Sequence, residues 1–102
     1  MPDLRGLTVV VATADPDRWR AALMLASAEA ALGGRTRVYC HEAAVTLLAR
    51  SELVDTALEL GIVLIACQSG LAAHDLPLPD FAEAGGLVSL LAELGDDRLV
   101  TL

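Results

Sequence analysis

The sequence has no lysine, only two cysteines, and one each of tryptophan, tyrosine and phenylalanine. Without lysine there is no Schiff-base amine and no phosphate-binding lysine of the Walker type. With aromatics at 3%, the core has to be built from Leu, Val and Ala. Positive charge is scarce too: seven arginines stand against 14 acidic residues, a net charge of −7. That sign disfavours nucleic acid and anionic membrane surfaces, whose phosphates attract a basic face. No G-x-G-x-x-G follows the first apolar run and no G-x-S-x-G occurs, so neither dinucleotide binding nor a serine nucleophile elbow has a motif. No stretch approaches the ~18–20 apolar residues of a membrane span. The segment MPDLRGLTVVVATADPDRW lacks the form of a signal peptide, because its apolar run is short and Asp15 and Asp17 follow at once. These features are those of a cytoplasmic protein whose two cysteines stay free thiols. Cys40 and Cys67 stand as C-x26-C, which is not a zinc spacing. The only other candidate ligands would be His41 and His74, so neither metal nor cofactor is expected.

What is present is an apolar chain of one domain's length. Its 102 residues are 55% apolar, with a mean hydropathy of +0.56. A domain of this size has much surface for its volume. The surplus apolar residues are expected to form exposed patches that meet further copies of the chain, giving a homo-oligomer.

Leu7–Thr13 (LTVVVAT) is a continuous β-branched run, as in strands buried on both faces of a parallel sheet. Asp15 offers an N-cap and Pro16 a first helical position. Trp19, Ala22, Leu23, Ala26 and Ala30 then recur at helical spacing until Gly33-Gly34. Arg35–Cys40 reads as a second strand, His41–Arg50 as a helix, and Ser51 as the cap of another helix closed by Gly61. Ile62–Ala66 is the third strand, Gln68–His74 a short helix, Asp75–Gly86 an irregular loop, Leu87–Leu94 a helix and Arg98–Leu102 the last strand. The order β-α-β-α-α-β-α-α-β predicts a parallel sheet of four to five strands between helical layers, an α/β/α sandwich spanning residues 1–102. No internal repeat is present.

Ligands of open parallel sheets sit at the carboxyl ends of the strands. Thr13, Cys40 and Cys67 mark those ends. Cys67 is also followed by the short helix QSGLAAH, whose first amide groups and dipole favour thiolate over thiol. Gln68 and Ser69 add small polar groups and Gly70 leaves the backbone open. With the 75–86 loop, these residues form the expected pocket. The bland alternative makes Cys67 a small buried hydrophobe. His74 lies about 10 Å further along its helix than Cys67, whereas His41 could approach Cys67 across adjacent strand ends. Asp15 and Asp17 are better explained as caps than as paired catalytic carboxylates.

Four segments, LTVVVAT, RVYCHEAAVTLL, IVLIACQSGL and EAGGLVSLLAELGDDRLVTL, resemble in order the DsrE/DsrF-like family of small α/β proteins of sulfur relay. The resemblance spans nearly the whole chain. It implies a parallel α/β/α sandwich, assembly into trimers or hexamers, and a cysteine at the end of the matching strand that carries a persulfide between a sulfur donor and a sulfur acceptor protein. Cys67 in IACQSGL is the matching position. The arginine-glycine pair that tends to follow the essential cysteine of relay members is replaced here by SGLAAHDL. Three readings follow: a persulfide carrier using Cys67, a non-catalytic oligomeric binding or assembly module with a structural Cys67, and a two-cysteine redox protein. The last needs the Cα atoms of Cys40 and Cys67 within about 7 Å, hence their strands adjacent.

Overall fold

The computed structural model describes residues 5–102. Five strands, β1 (Leu7–Val11), β2 (Thr36–Cys40), β3 (Val63–Cys67), β4 (Glu83–Gly85) and β5 (Arg98–Thr101), form one sheet in the order β4-β3-β2-β1-β5, every pair parallel. Helices α1 (Pro16–Ala31), α2 (Glu52–Glu59), α3 (Gln68–Ala73) and α4 (Leu87–Ala92) fill the connections, with a 3-10 helix at Glu42–Leu47. The expected parallel α/β/α architecture is the one observed. No helix among the described residues is long and apolar enough to cross a membrane.

The caps stand where residue chemistry puts them. The Asp15 carboxylate accepts from the Asp17 amide at 2.8 Å and from that of Arg18 at 3.3 Å, with Pro16 opening α1. The Ser51 hydroxyl accepts from the Val54 amide at 3.1 Å and starts α2. The two faces of the sheet differ. In register, Leu7 pairs with Thr36, Val9 with Val38 and Val38 with Leu64, so these side chains share a face. That face is closed: Val9, Val38, Leu64 and Ala66 are at most 1% exposed, and α1 supplies Trp19, Ala22, Leu23 and Ala26 to the same core. The other face carries Thr8, Arg37, Tyr39, Ile65 and Cys67 and is thinly covered, since α4 buries Leu90 alone. Ile65 and Val63 are half-buried there.

Polar residues at the amino edge of the sheet form a closed group. Thr8 donates its hydroxyl to Asp97 at 3.1 Å and accepts from Arg37 at 3.1 Å, while Arg35 donates to Asp97 at 2.7 Å. The Asp97 side chain is 1% exposed, so its charge is held by these partners. They tie β1 and β2 to the turn that leads into β5.

Two segments depart from expectation. Residues 41–50 do not make an α-helix. The backbone winds into the tighter 3-10 form, with Glu42 at φ +48° in the left-handed region where few residues other than glycine go. Within the expected loop 75–86, Glu83–Gly85 forms β4 at the sheet edge. Glu, Ala and Gly are all poor strand formers, so pairing with β3 imposes this strand against local propensity. β1 also ends at Val11 and leaves Thr13 on an exposed bend.

Candidate functional site

Cys67 closes β3 and is the N-cap of α3. Its sulfur accepts from the Gly70 amide at 3.4 Å. The Ser69 hydroxyl stands 3.2 Å from the sulfur and 3.1 Å from Glu42 Oε1. Sulfur and Glu42 Oε1 are 4.0 Å apart. Burial alone would raise the thiol's pKa. The Ser69 and Tyr39 hydroxyls and the backbone of Glu42 and Gly70 outweigh that and bring it below the ordinary thiol value. α3 is only six residues long, so this shift comes from individual hydrogen bonds rather than from a helix dipole.

Glu42 reaches the sulfur because the 3-10 helix packs against α3 at Gly70. A Cβ at position 70 would lie 2.4 Å from the Glu42 carbonyl oxygen. Glycine there allows the contact and supplies the amide that meets the sulfur. On the other side β4 runs alongside, with Gly85 in register with Cys67. No side chain at 85 overhangs the thiol. The result is a depression of about 320 Å³. Tyr39, His41 and Glu42 line one side, Cys67, Gln68 and Ser69 the floor, and Gly85, Gly86, Leu87 and Val88 the other side. The Cys67 side chain is 3% exposed. Glu42 and Ser69, which touch it from the open side, are themselves exposed.

Of the residues expected in the pocket, Cys67, Gln68 and Ser69 line it, and Gly70 lies beneath the sulfur as its amide donor. Two do not join them. Thr13 follows β1, where the strand order reverses, and Cys67 lies two strands away. Cys40 pairs in register with Ala66, and its side chain therefore points to the opposite face from that of Cys67. It is fully buried, and burial pushes its thiol up to about 12. The strands that carry the two cysteines are adjacent, yet the pleat separates the side chains, which removes a two-cysteine redox reading. His74 caps the far end of α3 in solvent.

Tyr39 and Glu42 are site residues that sequence reasoning did not select, whereas Gly85 and Gly86 close the 75–86 loop that was expected to shape the pocket. Tyr39 sits on the same face as Cys67 by strand register, which becomes visible once β2 and β3 are known to be neighbours. Glu42 carried one signal, its place just after a strand end on the functional edge. Weighing only His41 and His74 as further metal ligands beside the two cysteines passed over Glu42, which groups with His41 and Cys67 so that their ligand atoms all lie within 4.8 Å of one another.

Neither a protein-family model nor any curated protein matches the chain. Among solved structures, the crystal structure of the ychN protein from E. coli is similar, with a TM-score of 0.75 over 97% of this chain and 100% of that one, at 20% sequence identity. That likeness is one of fold. The resemblance to DsrE-like proteins therefore holds for the architecture.

Proposed function

We propose that the protein is a persulfide carrier and that Cys67 accepts the sulfur. The observation that carries this reading is the hydrogen-bonded setting of the Cys67 sulfur, which lowers the thiol's pKa although the side chain is almost covered. Ser69 bridges sulfur and Glu42, and its single hydroxyl proton can serve only one of them at a time. In the thiol form, S–H donates to Ser69 and Ser69 donates to the Glu42 carboxylate. This chain gives the thiol proton a route to Glu42 and leaves a thiolate that accepts from Ser69.

Transfer then balances without an oxidant. The thiolate attacks the outer sulfur of a donor persulfide, R–S–SH. The new Cys67 S–S bond forms as the donor S–S bond breaks, and the donor leaves as its thiolate. The backbone amide of Gly70 and the Tyr39 hydroxyl stabilise negative charge on the cysteine before transfer and on the terminal sulfur after it. Gly85, in place of a larger residue, leaves room for the added atom. Movement of the exposed Ser69 and Glu42 side chains admits the donor. The working form is an assembly of copies, joined through the sheet face that α4 leaves thinly covered.

Intact-mass analysis after incubation with a cysteine desulfurase and cysteine tests this. Wild type and Cys40→Ala gain the mass of one sulfur atom, reversibly to reductant, and Cys67→Ser does not. Loading of Cys67→Ser to the wild-type extent would place the chemistry elsewhere. The 3% exposure of Cys67 favours one rival, a non-catalytic assembly module with a structural thiol. That reading expects no loading of either cysteine in the folded protein.

A further inference from the structure

We infer that His41, Glu42 and Cys67 form a binding site for a thiophilic divalent cation of the zinc and cadmium class. Three elements contribute: the residue after β2, the start of the 3-10 helix, and the end of β3. One ligand atom from each lies within 4.8 Å of the others. Tetrahedral zinc places its ligands about 3.3–3.8 Å apart, given metal–ligand distances of about 2.0–2.3 Å. Closure therefore asks for side-chain shifts of about an ångström, and Glu42 is exposed and free to make them.

The donor set selects the ion. Imidazole nitrogen and thiolate sulfur suit zinc and its heavier congener, whereas calcium and magnesium want oxygen alone. Glutamate and thiolate together neutralise a divalent charge. A second observation points the same way. Nδ1 of His41 is sealed from solvent and has no hydrogen-bond partner among the described residues. The imidazole can ligate through either ring nitrogen, and ligation through Nδ1 would give that atom the partner the fold does not supply. Three protein ligands leave a fourth position for water or a small anion, and all three line the same depression. A cation held here caps the sulfur, so metal and persulfide compete for Cys67.

The inference does not depend on sulfur transfer, and its test is independent of it. The chelator-stripped full chain is titrated with Co²⁺ alone and the thiolate-to-cobalt charge-transfer band is followed; Zn²⁺ is then added. The expected result is a band that saturates at one equivalent and is displaced by Zn²⁺. Cys67→Ser abolishes it, and Cys40→Ala and His74→Gln leave it unchanged. His41→Gln and Glu42→Gln, checked for native far-ultraviolet dichroism, weaken Co²⁺ affinity by about tenfold or more, since loss of even an outer-shell partner costs that much. The site is wrong if wild type gives no band, if Cys67→Ser keeps it, or if His41→Gln and Glu42→Gln both bind as wild type does.

Discussion

At the scale of single residues, the two thiols are opposites made by one strand pair. Cys40 points into the closed core and stays protonated up to about 12, and Cys67 points to the thin face and ionises below the ordinary thiol value. Ser69 contributes to that lowering, so Ser69→Ala moves the pH profile of Cys67 alkylation upward. Removing a hydrogen bond worth about 1 kcal/mol should slow alkylation several-fold near neutrality. A Ser69→Ala profile that overlays wild type would show that the hydroxyl does not hold the thiolate. For Cys40 the consequence is one of stability. Its folded pKa is raised, so what it contributes is complete below the unfolded thiol value of about 8.5 and is lost as pH climbs from there towards 12. Tyr39, also pushed up by burial, adds to the loss at higher pH. Each proton contributes a slope of up to about 1.4 kcal/mol per pH unit. Urea unfolding between about pH 8 and 11 should therefore show falling stability, with the early part of the slope reduced in Cys40→Ala.

At the scale of elements, the contact between α3 and the 3-10 helix sets the site. Gly70→Ala drives a methyl group into the Glu42 carbonyl, and backbone cannot yield as a side-chain tip can. We expect a loss of about 1–3 kcal/mol in unfolding free energy, together with slower Cys67 alkylation as the Gly70 amide moves off the sulfur. Asp97 is a second such point, far from the thiol. Asp97→Ala takes from Arg37 its buried carboxylate, leaving it Thr8 and the exposed Glu93, and should cost about 1–3 kcal/mol, with the alkylation profile of Cys67 unchanged in whatever fraction remains folded. Elements with a strong local code were legible in the sequence. LTVVVAT and IVLIA read as buried strands because both faces of the sheet are lined with apolar side chains there. Asp15-Pro16 and Ser51 read as helix starts because their capping chemistry is local. β4 was not legible, since EAG has no strand pattern and exists as a strand through pairing with Ile65, Ala66 and Cys67. The 3-10 turn was hidden for the same reason: the apolar spacing of HEAAVTLLAR fits a helix, and tertiary contact at Gly70 decides its form. Cys67 and the 75–86 loop beside it were therefore visible from sequence, while Tyr39 and Glu42, brought to the sulfur by strand order, were not.

At the scale of the whole molecule, apolar surface is distributed unevenly. Val88 is 86% exposed and Leu91 51%, both on α4 above the thinly covered face, and Leu99 on that face is 45% exposed. Leu87 and Val88 also line the depression at Cys67, so a second copy seated on α4 would border the sulfur. Sedimentation of wild type at micromolar concentration should give a multiple of 10.6 kDa, and Val88→Asp should reduce it towards the monomer. A wild-type monomer would remove the assembly from the account. The central claim is that hydrogen bonds from Ser69, Tyr39 and the Gly70 and Glu42 backbone hold Cys67 as a reachable thiolate. It is tested most directly by the pH dependence of alkylation of the folded, chelator-treated protein, with each cysteine followed by peptide mapping. The account predicts that Cys67 is modified with an inflection below that of a free thiol while Cys40 stays unmodified until unfolding. Cys67 that resists alkylation until the chain unfolds, or that ionises no more readily than a free thiol, would contradict it.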